Sequence, residues 1–453
     1  MTARDAGNDS IVALASGPVP AGVAVLRLSG PAAGPVLARL TGRALPPPQR
    51  LSLRTIRDPA TGEALDRALV AWFPGPGSFT GEDTAELHLH GGPAVVSGAL
   101  DAVARAGLEA GLPCRLANPG EFTRRAFEND RLDLAAVEGL SDLVRAETAA
   151  QRRQALRAAG GRARRTFERW RADLETALAY AEAGIDFADE DLPEDLVEAT
   201  AAAIRRVRGE IESEVARGMA GMRLREGFLV AIVGPPNAGK SSLLNALAGR
   251  EAAIVSGIPG TTRDIVEVSM DLNGIPVTMA DTAGLREAAD AVEAEGVRRA
   301  RGLAERADLT LLVLEATDWP EIPAAMRDAA AGADMVVWTK TDLAGSVSLP
   351  RASHDAQFVS SVTRDGLDTL ADALLNAAQD RLAGGEDAIV TRQRHQDALT
   401  AMAGILAEWS PDLEPEIQAH LIHQANREMA GMLGRADIEN VLDRIFREFC
   451  IGK

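Results

Sequence analysis

Cysteine is scarce, with two residues in 453, Cys114 and Cys450. Thiols so far apart form neither a disulfide framework nor a zinc-ligand spacing, and they suit a reducing cytoplasm. Aromatic residues make up 4% of the chain against 46% hydrophobic residues overall. The cores must therefore rely on aliphatic side chains and alanine. No uncharged apolar run reaches the roughly 18 residues that mark a transmembrane helix, and the opening MTARDAGNDS lacks the arrangement of a signal peptide. A soluble cytoplasmic protein without membrane attachment is expected. Positive charge is also short, 48 Lys and Arg against 66 Asp and Glu, for a net charge of −18. A surface of that sign cannot grip nucleic acid over its whole extent. DNA binding is not expected, and RNA contact has to be local or delegated to a partner. One stretch is locally basic: Arg152, Arg153, Arg157, Arg162, Arg164, Arg165, Arg169 and Arg171, with Glu168 the one acid among them. A solvated helix face and an RNA contact both fit it. Neither an internal repeat nor a G-x-G-x-x-G strand-turn-helix unit stands out.

What is present organises the chain around Gly234 to Ser242, GPPNAGKSS. It fits G-x-x-x-x-G-K-[ST] between the apolar run Phe228 to Val233 and the helix-like run Leu243 to Ala248, the context that a phosphate-binding loop requires. Gly234 and Gly239 let consecutive N–H groups and the positive end of a helix face a phosphate. Lys240 is expected on the β- and γ-phosphates and the Ser241 hydroxyl on Mg²⁺. Thr339-Lys340-Thr341-Asp342 resembles the guanine-reading Asn-Lys-x-Asp of GTPases. There Asp342 would accept two hydrogen bonds from guanine that adenine cannot donate. Thr339 replaces the usual Asn, and a short hydroxyl is not expected to copy an amide's contacts to the base edge and the phosphate loop. Weaker nucleotide affinity would follow.

Two switch-like segments lie between these motifs. The loop Gly249 to Asp264 carries Thr261-Thr262, and Thr262 is expected to reach Mg²⁺ when the γ-phosphate is present. The strand Ile275 to Ala280 leads into Asp281-Thr282-Ala283-Gly284, where Asp281 would hold the Mg²⁺ shell through water and the Gly284 N–H would sense the γ-phosphate. Leu285 stands where Ras-like GTPases carry a water-orienting Gln, so hydrolysis needs another polar group and another positive charge.

The rest reads as further domains. Residues 1–122 combine strand-length apolar runs, Gly22 to Leu28 and Ala68 to Phe73, with a helix at Ala94 to Ala106 and the half-exposed alternation Glu86-Leu87-His88-Leu89-His90. Residues 123–222 are Ala- and Leu-rich with helical spacing; 223–384 alternate strand and helix signals as a doubly wound sheet does; 385–453 return to helix. The expected fold is α/β and α: an amino-terminal α+β domain, a central helical domain, and a Ras-like P-loop GTPase domain inserted into it.

NAGKSSLLNALAGREAAIVSGIPGTTRD, DTAGLREAADAVEAEGVRRA and the terminal FCIGK resemble the tRNA-modifying GTPase family MnmE, also called TrmE, over nearly the whole chain. The resemblance implies a K⁺-activated GTPase that forms homodimers, with K⁺ held by Asn237 and the loop matching Ser256, Ile258 and Thr261. Glu293 would help to position the attacking water. The nucleotide set becomes Asn237, Ala238, Gly239, Lys240, Ser241, Ser242, Ser256, Gly257, Ile258, Pro259, Gly260, Thr261, Thr262, Asp281, Thr282, Ala283, Gly284, Thr339, Lys340, Asp342, Ser360, Ser361 and Val362. The amino-terminal domain would bind a tetrahydrofolate derivative, 5-formyl or 5,10-methylene, through Arg27, Glu86, Arg131 and Lys453, and would also carry the constitutive dimer interface. Cys450 is either a nucleophile or proton donor near the folate or a packing residue. The implied partner is MnmG (GidA), bearing FAD and NADH, in a heterotetramer that modifies C5 of the wobble uridine in certain tRNAs.

Overall fold

The computed structural model describes residues 9–186, 194–249, 266–281, 302–303, 305–345 and 356–432, together with 445, 446, 449 and 452. It divides into two compact units: Met1–Ser141 with Ala159–Phe167 and Ala430–Lys453, and Asp142–Ala158 with Glu168–Met429.

In the first unit, β1 (Ser10–Leu14), β2 (Ala21–Ser29), helix α1 (Ala33–Thr41), β3 (Ser52–Arg57), β4 (Ala64–Phe73), β5 (Thr84–Gly91), helix α2 (Pro93–Glu109) and β6 (Cys114–Leu116) are followed by α3 (Glu121–Glu128) and α4 (Leu134–Arg145). The sheet order is β3-β4-β5-β2-β1-β6, antiparallel except for the β1–β6 pair. Strand β5 shows why the sheet has two unlike faces. Leu87 and Leu89 point into a core with Leu26, Leu28, Val36, Leu40 and Val103, whereas Glu86 and His88 fall on the other face. On that face Phe122 of α3 packs with Ile11 and Ala13. Helix α2 starts where Pro93 follows the extended Gly92, a place where the missing N–H costs nothing. Near the carboxyl end, Ile445, Phe446 and Phe449 pack on Leu134 and Val137, and a Cβ at Gly120 would lie 2.6 Å from the Phe446 carbonyl oxygen.

The second unit contains most of α5 (Ala149–Ala159), α6 (Arg162–Asp186) from Glu168 on, and α7 (Glu194–Glu226) as its helical material, then β7 (Phe228–Val233), α8 (Lys240–Ala248), β8 (Val266–Leu272), β9 (Ile275–Asp281), β10 (Leu309–Glu315), α9 (Arg327–Gly332), β11 (Met335–Thr339), β12 (Ala356–Phe358) and α10 (Leu367–Arg381), and again helices α11 (Gln393–Glu408) and α12 (Pro415–Met432) as far as Met429. Its sheet runs β12-β11-β10-β7-β9-β8, parallel except for β8. The near-continuous apolar runs of β7, β10 and β11 follow from burial of both faces under crossover helices. Ile204, Val207 and Ile211 recur at helical spacing on the buried side of α7, and Trp170 Nε1 of α6 donates to Glu210 Oε2 of α7 at 2.7 Å.

The chain enters and leaves this second sheet side by side. Arg225 Nε donates to the Thr391 carbonyl at 2.7 Å, and Gln154 Nε2 donates to the carbonyls of Gly221 and Gly385, both at 2.9 Å. A Cβ at Gly221 would lie 2.7 Å from the Ala388 Cβ, so the outgoing segment lies directly on α7. The second sheet is thus inserted into helical material. Helix α5 also touches the sheet: Ala150 N donates to Gly274 O, in the turn between β8 and β9, at 3.1 Å.

Candidate functional site

The loop after β7 is shaped by backbone. A Cβ at Gly234, φ 155°, would lie 2.3 Å from the Val313 carbonyl oxygen, so only glycine fits there. Asn237 holds φ 63°, and Gly239, φ 85°, opens α8 by accepting from Leu243 N at 2.8 Å. Lys240 is 4% exposed and its Nζ donates to the carbonyls of Gly234 and Pro235 at 3.0 and 2.7 Å, curling the ammonium over the loop. Strand β9 runs parallel to β7 with Asp281 paired to Ile232, which sets the Asp281 carboxylate beside the start of α8. Ser241 Oγ donates to Asp281 Oδ2 at 2.7 Å. A hydroxyl and a carboxylate in this arrangement are hard oxygen donors of the kind that Mg²⁺ takes. Ser242 lies exposed on α8, and Ala238 is fully buried.

The guanine-reading motif begins at the end of β11. Thr339, 1% exposed, places Oγ1 at 2.5 Å from Ala238 O and 3.0 Å from Leu314 O. The expectation that its hydroxyl would miss the phosphate loop is therefore corrected. Gly239 brings the loop backbone close enough for a short side chain, and a Cβ there would sit 3.5 Å from Thr339 Oγ1. Lys340, with φ 57°, pairs with Glu315 at 2.7 Å. Asp342 Oδ1 accepts from Ser360 Oγ at 2.5 Å, while that same Ser360 oxygen accepts from Val362 N and Thr363 N at 3.2 and 3.1 Å. Ser360 thus orients the Asp342 carboxylate, and Ser361 is half-buried and Val362 exposed beside it. Ser256, Gly257, Ile258, Pro259, Gly260, Thr261, Thr262, Thr282, Ala283, Gly284, Leu285, Glu293, Cys450 and Lys453 lie outside the described residues.

A second polar centre occupies the first unit. Arg27 and Glu86 face each other across β2 and β5, and Arg27 Nε donates to Glu86 Oε1 at 3.0 Å. His88 Nε2 lies 3.3 Å from Glu86 Oε2. The Arg27 guanidinium sits 5.8 Å from the ring centroids of both Phe79 and Phe122. Arg131 joins from the chain after α3: a Cβ at Gly81, two residues past Phe79, would lie 3.3 Å from its Cγ. The structure thus brings Arg27 and Glu86 together, and the loop between β4 and β5 touches Arg27 through Phe79 and passes Arg131 at Gly81. The fourth, Lys453, lies outside the described residues; at Gly452 a Cβ would lie 2.3 Å from the Leu14 carbonyl oxygen at the end of β1. His88, Phe79 and Phe122 were not singled out from the sequence, although the alternation Glu86-Leu87-His88 put His88 on the face of Glu86.

The arginine-rich stretch is largely neutralised. Arg153 pairs bidentately with Glu386, Arg157 meets Asp387 at 3.0 Å, Arg171 meets Glu175 at 2.7 Å, Arg164 lies 3.9 Å from Asp133, and Arg169 bonds Glu210. Hydrogen bonding to Arg153 holds the Glu386 carboxyl below its ordinary range. Burial pushes the Cys114 thiol up to about 11, which keeps it protonated and unreactive near neutral pH. Among the described residues no group of three or more His, Cys, Asp or Glu could hold a metal, and no helix is long and apolar enough to cross a membrane.

Residues 10–131 match the family described as GTP-binding protein TrmE N-terminus, and residues 134–450 match the MnmE helical domain. The tRNA modification GTPase MnmE of Methylobacterium sp. (strain 4-46) is 51% identical over 453 residues, spanning 98% of this chain and 100% of that protein. The protein of the same description from Paramagnetospirillum magneticum is 48% identical over 447 residues, with 98% and 100% covered.

Proposed function

This chain belongs to the MnmE family of tRNA modification GTPases, and we propose that it is a K⁺-activated GTPase that helps a flavin-bearing partner modify C5 of the wobble uridine in certain tRNAs. The observation that carries the hydrolytic half is the 2.7 Å bond from Ser241 to Asp281, which joins the phosphate loop to the motif that follows β9. GTP enters with its phosphates on the N–H groups of the Gly234–Lys240 loop, and Lys240 Nζ exchanges the Gly234 and Pro235 carbonyls for phosphate oxygens. Asp342, held by Ser360, reads the guanine N–H pair. Ser241, Thr262 and, through water, Asp281 would hold Mg²⁺, and Asn237 with Ser256, Ile258 and Thr261 would hold K⁺. Such ions would supply positive charge to the phosphates. Glu293 positions the water that attacks the γ-phosphorus as the bond to the β-phosphate oxygen breaks.

The carbon chemistry belongs to residues 1–122, with 123–222 and 385–453 as helical domain and 223–384 as G domain. Arg27, Glu86, Arg131 and Lys453 bind 5-formyl- or 5,10-methylene-tetrahydrofolate: Glu86 accepts from the pteridine, and the cations hold carboxylate or carbonyl groups. Cys450 is either a nucleophile or proton donor for this chemistry or a packing residue. The open face of the sheet supports a homodimer, since Val23, Leu53 and Leu69 are 56%, 48% and 41% exposed on it. MnmG (GidA) brings FAD and NADH, completing a cytoplasmic heterotetramer. Joining and parting of paired G domains gates the modification. Mass spectrometry of wobble uridine after incubation of protein, partner, folate, GTP and tRNA tests the whole reading. Lys240→Ala is expected to abolish modification while folate still binds, and full modification by this variant rejects the coupling.

A further inference from the structure

We propose that His88 is a positioning residue for Glu86, fixing the plane in which that carboxylate meets a pteridine; this rests on the folate reading above. The Glu86 side chain is 17% exposed and is held from two sides. Oε1 accepts from Arg27 Nε at 3.0 Å, and Oε2 lies 3.3 Å from His88 Nε2. A carboxylate offers about four lone-pair positions. Arg27 meets Oε1 through both Nε and Nη2, each at 3.0 Å, and His88 meets Oε2, so both oxygens are tied and the plane of the carboxylate is set. The lone-pair capacity that remains can accept from N–H donors such as the exocyclic amino group and ring N–H of a 2-amino-4-oxopteridine.

One anchor would not suffice. The terminal torsion of a glutamate is broad and roughly two-fold, so a carboxylate tied only at Oε1 sweeps its other oxygen through an arc. His88 ends that freedom, and its surroundings favour the role. It lies in a row across four strands, Leu53–Leu69–His88–Val25, in which every other member is apolar, so the row itself supplies no competing acceptor. The neutral Nε2–H tautomer and the imidazolium both donate at this nitrogen. The same row makes a packing role testable, because leucine fits an apolar row at least as well as histidine.

The experiment is calorimetric titration of the full-length protein with 5-formyl-tetrahydrofolate and with its 2-desamino analogue. His88→Leu is expected to bind the first about tenfold more weakly, and to discriminate less between the two ligands, as loss of a hydrogen bond to a charged group implies. His88→Met repeats the apolar change with an unbranched side chain, and melting curves establish the fold of each variant. His88→Gln, whose amide also donates, is expected to return to within about threefold of wild type. Apolar variants within twofold of wild type, or a Gln variant as weak as they are, overturn the inference. A wild-type protein that binds no 5-formyl-tetrahydrofolate overturns the folate reading, and the inference with it.

Discussion

Thr339 stands where asparagine is usual in the guanine-reading motif, and it reaches the phosphate loop because Gly239 brings that backbone close. In the proposed reading, recognition of the base rests on Asp342, which accepts from Ser360, eighteen positions further along. Replacing the carboxylate by a carboxamide turns one acceptor into a donor. Asp342→Asn is therefore expected to weaken GTP binding by two orders of magnitude or about 3 kcal/mol and to favour xanthosine triphosphate, which carries a carbonyl where guanine has its amino group. Competition titrations with the two nucleotides check this, and unchanged preference for GTP removes Asp342 from the base site. Motif spacing put Lys240 and Ser241 at the start of α8 and Asp281 at the end of β9, where the structure has them, because each sits at a fixed offset within one turn or strand end. Glu315 under Lys340 and the aromatic pair around Arg27 were not legible, since those contacts depend on cross-strand register and on loop paths that local pattern leaves open.

Among the elements, the strands at Phe228–Val233 and Ile275–Asp281 and helix α2 fall within a few residues of their sequence expectation, because apolar periodicity and proline or glycine boundaries act locally. The antiparallel sheet order was not readable, for strand pairing is a long-range choice. Helix α3 shows how such an element is secured. Burial opposes ionisation of Glu121, but hydrogen bonds from Arg115 and Asn118 outweigh it and lower its pKa from the ordinary 4.5. A folded value below the unfolded one means that Glu121 contributes stability above the unfolded pKa, and that this contribution is lost as pH falls through the folded pKa. Glu121→Gln is expected to melt a few degrees lower than wild type at pH 7, by about 1–3 kcal/mol, and to show a shallower fall in melting temperature from about pH 5 to pH 3. Parallel melting profiles for the two proteins contradict this account.

For the whole molecule, the net charge of −18 and the ion-paired arginines of α5 and α6 argue that tRNA is met through a limited surface or through the partner. The proposed reliance on an alkali cation gives a direct test: GTP hydrolysis is expected to be at least about tenfold faster in KCl than in NaCl at equal ionic strength, the cation standing where other GTPases use an arginine. Asn237→Ala should remove that difference, and equal initial rates in both salts with the wild-type protein exclude the K⁺ site.

The threads that carry the G domain in and out of the helical material are stitched to each other, by Arg225 to Thr391 and by Gln154 to both Gly221 and Gly385. With Ala150 bonded to Gly274 as well, the sheet is moored at its root and at one of its turns, a stiff bracket rather than a loose tether. Gln154→Ala removes two of the root's bonds, and under the proposed coupling it is expected to leave GTP hydrolysis in place while lowering tRNA modification, which parallel assays of the two activities check.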